Sequence, residues 1–129
     1  MATITERVDC CICDHRGLIE NTTVVLRYTT RDPYAVRIAF GSRRPMWGFA
    51  RDLLIDGMNH PAGMGDVLVR PGHAGVHVTL RSPSGEAQLT FLRHELVPFV
   101  DTMQLMVPRG REHEHVDLDA VLRALGAIA

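Results

Sequence analysis

Two short stretches carry the residue types from which chemistry is usually built. Cys10-Cys11-Ile12-Cys13 gathers all three cysteines of the chain, and His113-Glu114-His115 sets two imidazoles two residues apart. On an extended backbone those imidazoles point the same way, about 7 Å apart, with Glu112 and Glu114 facing opposite. Two histidines are half a zinc site, and Cys11 or Cys13, which share a strand face, could complete it as part of a metal-dependent sensor. The spacing argues otherwise. There is no CxxC pair and no second pair to close a tetrahedral site. The simpler reading of residues 112–115 is a solvated polar linker, so no metal and no cofactor is expected. An odd number of clustered cysteines in a leaderless chain also argues against a disulfide framework.

Catalysis and nucleic-acid binding fare no better. The chain has no Gly-x-Ser-x-Gly elbow and no phosphate loop. Asp52, Asp56, Asp117 and Asp119 read as acids at helix ends, where they complement the helix dipole. No enzyme is expected. All fourteen basic residues are arginine, spread along the chain, and the net charge is −1, whereas nucleic-acid surfaces are normally basic. The aromatics are one Trp, two Tyr and four Phe, and most fall at core positions rather than on a stacking platform. What remains is protein contact. Tyr34, Trp47 and Phe49 stand near strand ends, followed by Arg51 and Asp52. Aromatics and arginine dominate interface hot spots, so these five residues are the candidate partner-binding positions, with core packing as the alternative for Phe49 and Trp47. Arg51 is expected to pair with Asp32 or Asp52.

The elements that must position them follow from periodicity. Val8, Cys10 and Ile12 alternate with polar residues, which predicts a strand over 5–13 with Cys10 inward and Cys11 and Cys13 outward. Gly17 suits a turn that needs positive φ. Further strands are predicted over 22–30, 34–40 and 46–49. At Phe49 the period changes to helical spacing, giving a helix over 50–57 with Gly57 as its C-terminal cap. Residues 60–65 read as a loop. Strands over 66–70, 76–81 and 86–92 follow, the last two joined by the turn Ser82-Pro-Ser-Gly85. Leu96, Phe99, Val100, Met103 and Val107 form a helical stripe. Because proline is tolerated only in a first turn, Pro98 places that helix start near residue 95. Asp117 caps a last helix bearing Leu118, Val121, Leu122 and Leu125. The order ββββαβββαα predicts one α+β domain over 1–129, with two antiparallel sheets, each followed by a covering helix. Exposed sheet edges favour self-association. No apolar run approaches the ~20 residues of a membrane helix, and the N-terminus lacks signal-peptide character. A cytoplasmic protein is therefore expected.

One ordered set of segments says more. Asp32-Pro-Tyr-Ala-Val-Arg-Ile-Ala-Phe40, Trp47-Gly-Phe-Ala-Arg-Asp-Leu-Leu-Ile-Asp-Gly57, Gly65-Asp66-Val67, Ser82-Pro-Ser-Gly-Glu-Ala-Gln-Leu89, Pro108-Arg-Gly-Arg-Glu112 and Asp117-Leu-Asp119 together resemble the SsgA-like proteins of actinobacteria, over roughly residues 22–125. The resemblance implies a fold similar to the Whirly-type single-strand binders and a bell-shaped homotrimer. It implies a non-enzymatic adaptor in sporulation-linked cell division. Such an adaptor would contact a tubulin-like division protein, its membrane recruiters or other septum proteins. Some family members are linked instead to peptidoglycan maintenance and spore-wall maturation. Septal localisation would come through a partner, without direct membrane insertion. The alternative it leaves is a single-stranded nucleic-acid-binding module.

Overall fold

Alternation shapes the first hairpin. Val8, Cys10 and Ile12 are buried and their neighbours Arg7, Asp9 and Cys11 exposed, as period-two patterning dictates for a strand with one wet face. The computed structural model of the chain describes residues 2–41, 46–73, 75–116 and 125–126. The strands are β1 (Thr3–Asp14), β2 (Gly17–Thr29), β3 (Asp32–Ala39), β4 (Met46–Ala50), β5 (Ala62–Met64), β6 (Val67–Pro71), β7 (Gly75–Ser82) and β8 (Gly85–Leu92). Helix α1 (Arg51–Gly57) follows β4, helix α2 (Arg93–Met106) follows β8, and a 3-10 turn occupies Glu112–His115.

All eight strands join one antiparallel sheet, in the order β4-β3-β2-β1-β8-β7-β6-β5. The two separate sheets expected from the element order are thus its two halves. The seam is β1, which pairs with β2 along its whole length and also sets Cys10–Cys13 against Gln88–Phe91 of β8. Sequence order alone conceals this pairing, because the partner strands lie far apart in the chain. The eighth strand, β5, falls in the stretch read as a loop. Ala62-Gly63-Met64 has no β-branched residue and no alternation to announce it, and it is held only by pairing with β6.

The helices cover one face. α2 packs on β1 and β8 at the seam, whereas α1 contacts β3 and β4 from one end of the sheet and β5 and β6 from the other. The sheet therefore curls around α1 until both of its edges reach the same helix. Leu53, Leu54 and Met58 from α1 and its end, and Leu96, Phe99, Val100 and Met103 from α2, complete a core with Val24, Leu26, Tyr28, Val36, Ile38, Val69, Val78, Leu89 and Phe91. Each such side chain contributes about 1.5–3 kcal/mol by leaving water.

Two local expectations change. α2 begins at Arg93, so Pro98 lies beyond the first turn. His94, whose carbonyl loses its partner, and Pro98 are both exposed, so water is on hand for that group. Gly57 is the last helical residue rather than a positive-φ cap, and Met58 takes the cap in ordinary right-handed conformation. Glycine is required there for space: a Cβ at Gly57 would lie 2.2 Å from Val69 Cγ1 and 2.9 Å from the Val69 carbonyl oxygen. Gly17, by contrast, does turn the first hairpin at φ 116. The helix predicted from Asp117 through Leu125 lies outside the described residues.

Gly57→Ala should cost about 1–3 kcal/mol through overpacking, because backbone as well as side chain blocks the new methyl. Gly48→Ala, whose Cβ would meet nothing nearer than 3.7 Å, should stay within about 0.5 kcal/mol. Urea denaturation of both variants checks the contrast.

Candidate functional site

The sequence change from Trp47-Gly48-Phe49-Ala50 to Arg51-Asp52-Leu53-Leu54 turns β4 directly into α1. That corner holds four of the five candidate residues, and the fifth, Tyr34, stands on the adjacent β3. Trp47 pairs with Ile38 and Phe49 with Val36 across β3 and β4. Phe49 faces inward and is buried, Trp47 is half-buried, and Tyr34 is 51% exposed. Asp52 is exposed on the first turn of α1.

Arg51 is different. It is 1% exposed. Its Nη2 donates to Glu112 Oε1 at 2.7 Å and its Nε to the same oxygen at 3.3 Å. The guanidinium lies 5.5 Å from the centroid of the Tyr28 ring, a cation–π distance. The Tyr28 hydroxyl in turn donates to the Pro33 carbonyl at 2.9 Å. Glu112 Oε2 accepts from the Gly110 amide at 3.0 Å. The expected pairing of Arg51 with Asp32 or Asp52 is therefore corrected. Asp32 takes Arg37 at 2.7 Å and Asp52 takes Arg109 at 3.2 Å, because Arg51 points inward while both aspartates stay near the surface. Arg109 also forks onto Asp56, at 2.5 and 2.7 Å. Two arginine–carboxylate pairs of opposite polarity thus clasp the segment after α2 to α1. At the other end of α1, the Arg93 guanidinium donates to the Met58 carbonyl.

The clasp shows in the ionisation of its acids. Burial pushes Glu112 upward, but the hydrogen bonds from Arg51 and from the backbone outweigh it and hold the carboxyl below its ordinary value. The Arg109 hydrogen bond likewise lowers Asp56. Glu112 was the residue that sequence reasoning missed. Its partner is 61 positions away, and its only signal was a place in the Pro108–Glu112 motif.

The stretch around it was read as a solvated polar linker, and His113, Glu114 and His115 are exposed, but Glu112 is buried. Residues 112–115 form a 3-10 turn, so the extended geometry that the metal reading required is not present. The cysteines behave as the alternation implies. Cys10 is buried, and burial first, then the nearby thiols and Glu20, push its thiol up to about 12. Cys11 is exposed, with Sγ donating to Asn21 Oδ1 at 2.9 Å.

Between the two sheet edges runs a groove of about 310 Å³, lined by Trp47, Phe49 and Leu53 on one side and Met64, Asp66 and Val67 on the other. The nucleic-acid alternative finds no support. Tyr28, Phe49, Phe91 and Phe99 are buried. The uncovered face of β1, β2 and β8 presents Arg7, Asp9, Cys11, Asn21, Thr23, Arg27, Gln88 and Thr90, a mixed polar surface without the stacking aromatics of single-strand binders.

Comparison with known proteins places this geometry. A family model described as Streptomyces sporulation and cell division protein, SsgA, matches residues 22–112. The sporulation-specific cell division protein SsgB of Streptomyces coelicolor is 45% identical over 104 residues, which cover 75% of this chain and 76% of that protein. The SsgB of Salinispora tropica is 41% identical over 109 residues, covering 78% and 76%. Among solved structures, an SsgA-like sporulation-specific cell division protein from Thermobifida fusca superposes with a TM-score of 0.80 at 32% identity, covering 95% of each chain. The structure from work on SsgB mutations and longitudinal cell division during sporulation of Streptomyces coelicolor gives 0.79 at 35% identity, covering 88% of this chain and 95% of that one.

Arg51→Met should cost about 3–5 kcal/mol, since it strands a buried carboxylate, and adding Glu112→Leu should recover part of that loss. Arg109→Ala, at a half-exposed pair, should cost no more than about 1 kcal/mol. Because Glu112 is depressed in the folded state, its contribution is full above the unfolded value of about 4.3 and disappears as pH falls through the lower folded value. Chemical denaturation from pH 7 down to about 3 should show that acid decline, shallower in Glu112→Gln. A thiol reagent should label Cys11 in the native protein and Cys10 only after unfolding.

Proposed function

This chain belongs to the SsgA family of sporulation and cell division proteins, and from that membership we propose that it is a non-enzymatic adaptor of sporulation-specific cell division. The observation that carries the reading is the family match over residues 22–112, which contains the whole β3–β4–α1 corner. In this reading Tyr34, Trp47 and Asp52 meet the partner. Phe49 and Arg51 act from beneath, holding the backbone that presents them. A buried arginine sandwiched by a tyrosine and a glutamate suits rigid presentation better than direct contact, since its donors already face inward.

The partner is a tubulin-like division protein or another septum protein, and the protein assembles with itself as a trimer of Whirly-like subunits. Among the described residues no helix is long and apolar enough to cross a membrane. In this reading location at the septum comes through the partner. The adaptor needs no cofactor: its work is shape, charge and self-assembly.

The test replaces the chromosomal gene in its own sporulating host with a Tyr34→Ala/Trp47→Ala variant and counts septa in sporulating filaments. The variant should keep its far-ultraviolet circular dichroism and unfold within a few degrees of wild type, yet septate at a small fraction of the wild-type frequency. Normal septation by a variant expressed at wild-type level would remove these side chains from partner binding. Light scattering behind size-exclusion chromatography, at about 10 µM monomer, should return three subunits, and a strictly monomeric peak would overturn the trimer.

A further inference from the structure

The two edges of the sheet are unusual in composition and in placement. Edge strands present unpaired backbone groups, and proteins normally blunt them by shortness, charge, proline or bulges; β5, of three residues, is blunted by its length, whereas β4 runs for five. Met46-Trp-Gly-Phe-Ala50 and Ala62-Gly-Met64 carry no charged residue and no proline, in a chain in which 22% of residues are charged. Both strands end the sheet order, and both line the same groove beside α1. Met64 is 71% exposed there, and Met46, next to Trp47 in sequence, is exposed as well. A Cβ at Gly48, at the centre of β4, would find ordinary van der Waals space, whereas one at Gly63 would lie 3.2 Å from Leu68 Cδ1.

From this placement we propose that the groove between β4 and β5 receives an extended peptide from a partner protein, which adds as a strand to the β4 edge. The proposal deepens the partner surface argued above and rests on it. Backbone pairing supplies the affinity in strand addition, and pockets for alternate side chains supply the specificity. Here Trp47, Met64 and Val67 offer the apolar contacts. Asp66 is the single charged side chain lining the groove among the described residues. Charge complementarity then makes the occupant an extended segment with apolar residues at alternate positions and one arginine or lysine set to meet Asp66. The groove is bounded on both sides by ends of the same sheet, so an edge strand of a folded copy would have to bring its own sheet in with it, and a flexible segment of another protein fits the groove better.

The probe is a set of ten-residue synthetic peptides that alternate valine and threonine around a central arginine, titrated into the full-length 15N-labelled chain. Amide shifts should centre on residues 46–50 and 62–67, with Kd below about 1 mM. Asp66→Asn should weaken binding about twofold to fivefold, the range of an exposed ion pair, and should do nothing to a peptide whose arginine is replaced by glutamine. Peptides with proline at alternate positions should not bind, because proline cannot donate to the new ladder. Three results would overturn the proposal: no shifts, shifts centred elsewhere, or equal binding of the proline peptides. So would slow amide exchange at residues 46–50 without peptide that disappears on dilution, which would make a second copy the occupant. Peptide binding together with normal septation in the Tyr34→Ala/Trp47→Ala variant supports strand addition and sinks the partner surface proposed above. Septation loss without peptide binding does the reverse.

Discussion

The buried ion pair between Arg51 and Glu112 is the constraint on which the corner depends. A guanidinium at 1% exposure is costly to desolvate, and only a carboxylate in good geometry offsets that cost. The pair sits where β4 becomes α1, and its acid comes from the turn beyond α2. It therefore joins the β4–α1 corner to the chain that follows α2. The stack of Arg51 on Tyr28, and the bond of Tyr28 to the Pro33 carbonyl, carry the same constraint into β2 and β3. Any shift in the angle of α1 would break a contact that cannot be replaced by water.

Around this pair the division of labour is plain. Apolar burial gives the fold most of its stability through α2 on the seam and α1 within the curl. The ion pair gives direction, because a charged contact in a dry place tolerates one arrangement where leucines tolerate several. Arg109, wetter and forked onto Asp56, adds reach rather than strength. The outer corner is left to Tyr34, which stands exposed, to Trp47, half-buried against the core, and to Asp52, which pairs with Arg109.

Much of this was legible in sequence, and the failures have specific physical causes. Alternation in Val8-Asp9-Cys10-Cys11-Ile12 marked both the strand and its buried face. The change of period at Phe49 marked the start of α1, and the stripe from Leu96 to Met103 marked α2. Pairing between distant strands was not legible, because nothing local distinguishes a β1 that serves one neighbour from a β1 that serves two. Hence two sheets were expected where one exists. β5 escaped because three small or flexible residues carry no periodic signal. Gly57 was noticed but for the wrong property, since a helix-end glycine looks the same whether it is there for its φ or for the space beside Val69. Arg51 was picked out as a candidate partner-binding position. Its role was not visible, because burial of a charge is decided by where residue 112 arrives, and that is a property of the whole fold.

The seam at β1 has a consequence for how the molecule is made. The first hairpin is complete once Thr29 has been synthesised, and its local contacts form quickly. The other side of β1 then waits for Gln88–Phe91, which reach it only after several more seconds of translation at ~5–20 residues per second. Through that interval the strand that will become the centre of the sheet is an open edge, bearing Val8, Cys10 and Ile12 on a face not yet covered by α2. The order of synthesis thus leaves the middle of the fold open until the second half of the sheet has been made.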